Sequence, residues 1–332
     1  MSGMEANNTM RDFTFLPNDF DLIGGEPEAR IDSSFTSDSY WKDVSRRFFR
    51  NKGAVIALAF ILIIVLLAAI GPMVSGYGYS QQTLSQKSFA PRIPGLENLG
   101  IFDGDESLHT TSGTKIVNGY KDKELHNVYY WFGSDTLGRD IWTRVWAGTR
   151  ISLAIAVVSA VINMTLGMCY GLVSGYFGGV VDSVMQRFAE IINGIPRLVI
   201  VTLLLLVLKP GFATIVLALV ITEWISMSRI SRAEMLKLKE REFVLASRTL
   251  GANSPTIIFR EILPNIIGQI ITQLMFSIPT AIFTEAFLSF VGLGIPVPQC
   301  SLGSLISDAF NSFTTHPYQI VPPLIVLALL ML

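Results

Sequence analysis

The hydrophobic positions of this chain gather into long unbroken runs rather than short alternating stretches. The clearest run, Gly53 to Val74, carries no charge and has the ~20 residues that a helix needs to cross ~30 Å of hydrocarbon. Further runs lie at Ile151 to Tyr176, roughly Ile191 to Leu208, Phe212 to Met227 and Asn265 to Leu293, and a last one begins near Ile320. The pattern predicts an all-α polytopic membrane protein with six transmembrane helices. Gly167, Gly171 and Gly175, Gly194 with Pro196, and Gly268 with Pro279 fall inside these runs. Membrane bundles accept such residues where helices approach closely. After Gln319 only about a dozen apolar residues remain, short of a full span, so the last helix is expected to be cut by the end of the sequence.

The polar stretches divide the chain further. Residues 1–52 form an amino-terminal segment: Met1 to Tyr40 is polar, shows no period and is expected to be loosely ordered, and "WKDVSRRFFRNK" then supplies a basic cluster. With about fifty residues ahead of it, the run at 53–74 reads as a retained helix and not as a signal peptide. Residues 75–147, including "PRIPGLENLGIFDGDES", are expected to form a small folded excursion, since structureless connections of this length are uncommon. Residues 148–332 hold the remaining spans and a polar island at 229–264.

Composition sharpens this picture. Half of the residues (50%) are hydrophobic and only 15% are charged, against roughly 25% charged in soluble domains. A net charge of −1 gives no generalised basic footprint for nucleic acid. Basic residues cluster at two places: Lys42, Arg46, Arg47, Arg50 and Lys52 before the first run, and Arg229, Arg232, Lys237, Lys239, Arg241, Arg248 and Arg260 after the fourth. Basic residues mark the cytoplasmic side, and four crossings return the chain to where it started. Both clusters, and the amino terminus, are therefore expected in the cytoplasm, with 75–147 outside. Cys169, Cys300, His109, His126 and His316 stand at no metal-ligand spacing, and both cysteines read as buried small side chains.

The polar island contains "LASRTLGANSPTIIFREILPN", Leu245 to Asn265. Arg241 to Leu250 has helical spacing, and Gly251 sits where a helix ends in a left-handed residue. Ser254 is the expected N-cap and Pro255 the first residue of a second helix, while Pro264 sits near the head of the fifth span. Two short helices meeting at an "LGAN" elbow should result. The pattern names no partner for it, and a solvated helical loop would look the same.

At this point the residues carry a resemblance. The island resembles the coupling loop of ABC importer permeases, whose pattern is Glu-Ala-Ala, three residues, Gly, nine residues, Ile, one residue, Leu-Pro. Ala246, Gly251, Leu263 and Pro264 match it, whereas Leu245, Ser247 and Glu261 depart from it. The spelling "EFVLASRTLGA" is similar to the peptide/nickel branch of that family. "WFGSDTLGRDIWTRVWAGTRISL", Trp131 to Leu153, and "AIFTEAFLSFVGLGIPVPQCSLGSLISD", Ala281 to Asp308, resemble the C-type permease subunit of oligopeptide and dipeptide importers. Leu302 stands where relatives often have Trp.

The resemblance implies a type I ABC importer permease fold with an extracytoplasmic insertion after the first span. It implies a heteromeric complex in the bacterial plasma membrane: a homologous second permease subunit, two ABC ATPase subunits that bind ATP and Mg, and an extracellular substrate-binding lipoprotein delivering peptide. The long outer excursion is similar to importers of Gram-positive hosts. Leu250, Gly251, Ala252 and Asn253 would contact the ATPase, with Ala246 and Ser247 packing the first helix against its neighbour.

The chain itself is not expected to be an enzyme or to hold a cofactor. It has no G-x-x-x-x-G-K-[ST] loop to cradle phosphate, and no G-x-S-x-G or H-E-x-x-H pattern. "GYFGG" reads as a tight turn. Glu285 stands inside the fifth run, where an ionisable residue is a functional candidate. It is expected on the translocation path or at the interface with a second permease subunit, with a hydrogen bond inside the bundle as the alternative. Arg197 and Glu223 read as snorkelling near span ends. Trp142, Arg144, Trp146 and Arg150 read as a lipid-anchored interfacial helix, with docking of a binding protein as the alternative. An ion-gradient transporter or a non-transporting scaffold is the remaining alternative, although the internal repeats common in the former are not found.

Overall fold

The computed structural model describes residues 40–110 and 113–332. The expectation for Met1 to Ser39 lies outside the described residues. The chain forms two units, residues 1–59 and 60–332. In the first, the basic cluster forms helix α1, Tyr40–Arg50. Asn51 then caps the start of α2, Lys52–Val74, its Oδ1 accepting from the amides of Gly53 at 3.1 Å and Ala54 at 3.3 Å.

The second unit begins within α2. The segment that follows α2 carries secondary structure and a small core of its own. A two-stranded antiparallel sheet pairs β1, Glu106–Thr110, with β2, Gly113–Val117, and a short α3, Gly119–Asp122, follows. Phe89, Tyr120 and Tyr130 form its small core. Tyr120 donates to the Ala90 carbonyl at 2.9 Å and Tyr130 to Gln86 Oε1 at 2.5 Å. Burial pushes both phenols well above their ordinary value of 10.0. Unfolded tyrosines ionise near 10 and these two do not, so their contribution is intact below pH 10 and is lost as pH rises further. Each tyrosine's contribution therefore shrinks as pH rises above 10. Ultraviolet titration should show both phenols un-ionised at about pH 11 while the excursion remains folded, and Tyr120→Phe should remove one of the late-titrating groups.

The membrane core is built on α4, Ile141–Phe177, which packs along α7, Phe212–Leu238, and crosses α10, Leu263–Phe290. Gly167, Gly171 and Gly175 recur every fourth residue and bring α4 onto α7. A Cβ at Gly171 would stand 2.2 Å from the Ser228 carbonyl oxygen, so the two backbones meet directly there. Between these helices lie α5, Gly179–Asn193, and α6, Arg197–Val207. "GYFGG" is the expected turn, with Gly178 and Gly179 at positive φ. Helices α11, Leu302–Phe310, and α12, Val321–Met331, pack on α4 and α10. Leu302 is fully buried among Ile141, Val145, Trp146 and Leu305. Cys300 is buried there too, whereas Cys169 is half-buried.

Four helices among the described residues are long and apolar enough to cross a membrane. A fifth span exists if α5 and α6, bent by 78°, are counted as one. The expected six are thus four to five by length, with α12 shorter. The run at Ile191 to Leu208 is broken rather than continuous, because Pro196 cannot donate to the preceding turn and restricts the residue before it. Helix boundaries also move: α4 starts at Ile141, ten residues ahead of the apolar run, since its first turns are polar yet buried. Asp140 caps it, Oδ2 accepting from the Thr143 amide at 3.0 Å.

The interfacial helix is overturned in the same region. Arg144 is 1% exposed and Trp146 is buried. Trp142 Nε1 donates to the Gly71 carbonyl at 2.9 Å, and Arg150 donates to the Ala68 carbonyl through Nε at 3.2 Å and Nη2 at 3.0 Å. Pro72, inside α2, has no N–H, so the Ala68 carbonyl four residues earlier lacks its helical donor. Arg150 replaces that donor.

Candidate functional site

The polar island folds as a joint on the end of the bundle. Helix α8 spans Glu242–Thr249. Its end is a Schellman turn: Gly251 at φ +84° donates to the Arg248 carbonyl at 2.9 Å, and Ala252 to the Ser247 carbonyl at 3.1 Å. Helix α9, Ser254–Thr256, starts at once. Its N-cap is Asn253 rather than the expected Ser254: Asn253 Oδ1 accepts from the Thr256 amide at 3.0 Å and from the Thr256 hydroxyl at 2.6 Å. A wide π turn, Ile257–Ile262, then joins α9 to α10. Pro264 explains it, because its ring would crowd the Arg260 carbonyl in a regular helix. The second short helix is therefore the head of the long one.

The elbow has one free face and one anchored face. Leu250 is 88% exposed and a Cβ at Gly251 would meet nothing within 4 Å. Opposite, Val244 is buried in a cluster with Leu172, Met235, Ile257, Ile262 and Ile266, and Ala252 packs against that cluster. Packing assigned to Ala246 and Ser247 falls instead to Val244, since Ala246 is exposed and Ser247 half-buried. The Arg248 guanidinium lies 5.2 Å above the Tyr176 ring. Lys239 Nζ donates to the Gly175 carbonyl at 3.2 Å. Asp182 accepts both Arg232 donors, Nε at 2.6 Å and Nη2 at 2.5 Å, which ties α5 to α7. The joint is thus fastened to α4, α7 and α10 together. None of these partners had a sequence signal, although the buried Val244 shares one face with the helical period.

Glu285 is 0% exposed and held by hydrogen bonds inside this chain, the second of its two expected readings. Ser152 donates to its Oε2 at 2.7 Å and Ser289 to its Oε1 at 2.7 Å. Ser152 also accepts from the Leu302 amide at 3.3 Å, so the carboxylate ties α4, α10 and the head of α11. Arg197 and Glu223 do not snorkel either. Arg197 Nη1 stands 3.4 Å from Glu223 Oε1 and donates to Thr284 Oγ1 at 2.9 Å.

Charged groups also lock the segment after α2 to the bundle. Arg139 Nε donates to Asp135 Oδ2 at 2.5 Å, and Arg144 lies 3.7 Å from both Asp135 Oδ2 and Asp308 Oδ2. Arg144→Ala is expected to destabilise the fold by about 3 kcal/mol, because it empties a fully buried site and removes the Nη1 donor to the Tyr79 carbonyl at 3.3 Å. A lowered thermal midpoint of the detergent-solubilised protein would report it.

The family model described as binding-protein-dependent transport system inner membrane component matches residues 167–332. The model described as N-terminal TM domain of oligopeptide transport permease C matches residues 39–91. The chain is 39% identical to the oligopeptide transport system permease protein OppC of Bacillus subtilis, over 86% of this chain and 82% of that one. It is 36% identical to the dipeptide transport system permease protein DppC of the same organism, over 95% and 88%. It is 37% identical to OppC of Escherichia coli, over 86% and 83%. Among solved structures, an inward-facing MetNI methionine ABC transporter aligns with TM-score 0.47 and 18% identity, over 57% of this chain and 88% of that one.

Proposed function

The chain belongs to the family of binding-protein-dependent transport system inner membrane components, and on that premise we propose that it is a permease subunit of an ATP-driven importer taking up oligopeptides. It is a multi-pass membrane protein and a non-catalytic component of a transport complex. The finer reading is as follows. A homologous second permease subunit completes the pathway, two ABC ATPase subunits bind ATP and Mg and hydrolyse the nucleotide, and an extracellular lipoprotein delivers peptide. The amino terminus and the elbow face the cytoplasm of a bacterial, Gram-positive host, with residues 75–147 outside.

The observation that supports this reading most is the joint between α8 and α9, exposed at Leu250 and packed behind on three helices. An ATPase groove that receives Leu250, Gly251, Ala252 and Asn253 would move them as a rigid piece, because the Schellman turn and the Asn253 cap leave the elbow little internal freedom. Interiors packed at crystal density transmit displacement rather than absorb it. Closure of the ATPases would then rock α4, α7 and α10 as a body and exchange inward for outward access.

The test is to tag the chain, extract it gently from native membranes, identify co-purifying subunits by mass spectrometry and measure peptide uptake after reconstitution. ATPases and a second permease, with uptake that stops when ATP is removed, are the expected result. Uptake that persists without ATP and collapses with an ionophore would overturn it in favour of a gradient-driven transporter, and no uptake would favour a scaffold.

A further inference from the structure

Near the middle of α4 and α7, facing α10 and the break before α6, a cleft of about 380 Å³ opens, within the ~300–1,000 Å³ of small-ligand sites. Its wall holds two buried acceptors without a hydrogen-bond donor among the described residues, Asn163 Oδ1 and Glu223 Oε1. Asn163 is 3% exposed and the Glu223 side chain 8%. The two are joined side by side, Asn163 Nδ2 donating to Glu223 Oε2 at 3.4 Å, which leaves the remaining oxygen of each open. Arg197 is in ion-pair range of Glu223 Oε1 but is not aligned as its hydrogen-bond donor. Across the cleft Gln273 Nε2 donates to Ser226 Oγ at 3.3 Å.

Buried acceptors at this depth are costly to leave unpaired, and polar groups inside spans mark substrate pathways. An N–H group can serve each of them as donor. A peptide main chain carries such groups at regular spacing whatever its side chains, and a terminal ammonium adds a charge opposite to that of Glu223. Resting on the reading of this chain as a peptide permease subunit, we infer that Asn163 and Glu223 form a mid-membrane subsite that takes the main-chain N–H or terminal ammonium groups of the passing peptide. Arg197 stands beside the subsite to take a peptide carbonyl or carboxylate. Recognition of this kind is blind to side chains, as a pathway serving varied peptides needs.

The test uses the intact complex with its binding protein, reconstituted in lipid vesicles and supplied with ATP and a radiolabelled tripeptide. A benzophenone amino acid in place of Ser226, on the cleft wall, is expected to crosslink the peptide during turnover. The same group in place of Val161, exposed on α4, is not. Asn163→Leu and Glu223→Gln should each lower the crosslink yield and the peptide imported per ATP about tenfold, as loss of a charge-assisted or buried hydrogen bond does. Glu223→Asp, which keeps the charge on a shorter arm, should fall between and serves if either other variant fails to assemble. Crosslinking at Ser226 that is indifferent to all three changes, or absent in a complex that imports peptide, would show that water alone fills the cleft and overturn the subsite. Failure of the unaltered complex to import peptide would instead overturn the functional reading on which the subsite rests.

Discussion

Gly251→Pro is expected to release the ATPase subunits from the complex and to lower peptide uptake at least about a hundredfold, the factor that corresponds to the ~3 kcal/mol or more of a misplaced proline. Proline holds φ near −65°, whereas Gly251 sits at +84° and uses its N–H on the Arg248 carbonyl. Both requirements fail at once, so α8 cannot end where it does and Leu250 is swung off its position. Gly251→Ala separates the causes. A Cβ there meets nothing within this chain, which leaves only the left-handed backbone to oppose it, at about 1–2 kcal/mol. Leu250→Ala completes the series. With 88% of the residue exposed, the thermal midpoint of the isolated chain should not move, yet ATPase docking should weaken by the ~1.5–3 kcal/mol of a leucine that becomes buried. Co-purification measured against uptake checks all three. Undiminished docking in Leu250→Ala and Gly251→Pro together would remove the elbow from the coupling role.

Gly171→Val should prevent the chain from accumulating as a folded subunit. The added Cβ would stand 2.2 Å from the Ser228 carbonyl and 2.8 Å from Ser231 Cβ, and backbone atoms cannot rotate away as a side chain can. Separating α4 from α7 would disturb the cluster on which α8 rests, because Leu172, Met227 and Met235 lie in it. A loss of about 3 kcal/mol or more is expected, large against the 5–15 kcal/mol of an ordinary fold. Size-exclusion profiles and thermal midpoints in detergent would show it. Gly268→Ala is the control: it lies in α10 and has nothing within 4 Å of its added Cβ, so the midpoint should be unchanged or slightly raised.

Much of the membrane architecture was legible from the chain. Long apolar runs mark spans because hydrocarbon admits no unpaired backbone; the run at Phe212 lies inside α7, and the one from Asn265 overshoots the helix end at Phe290 by three residues. The island was legible in detail, since glycine after a helical period and an Asn-Ser-Pro step are local backbone signals that need no neighbour. Its exact cap was not: Asn253 and Ser254 can both cap a helix, and only the observed hydrogen bond chooses between them. The broken run at Pro196 was missed because hydropathy averages over a proline that the backbone cannot.

By itself, then, the sequence determined that the chain is a helical membrane protein with a glycine-ended joint between two of its spans, because both follow from interactions within a few residues of chain. Only the tertiary structure decided the fate of the charged and polar groups. Arg144 and Trp146 turn inward, Arg150 serves a carbonyl freed by a distant proline, Glu285 is closed off by two serines, and Asn163 and Glu223 are left open to a cleft. Each of these outcomes depends on which helix stands opposite, and hydrogen bonds and ion pairs across a bundle join residues far apart in the chain, as Ser152 and Glu285 are.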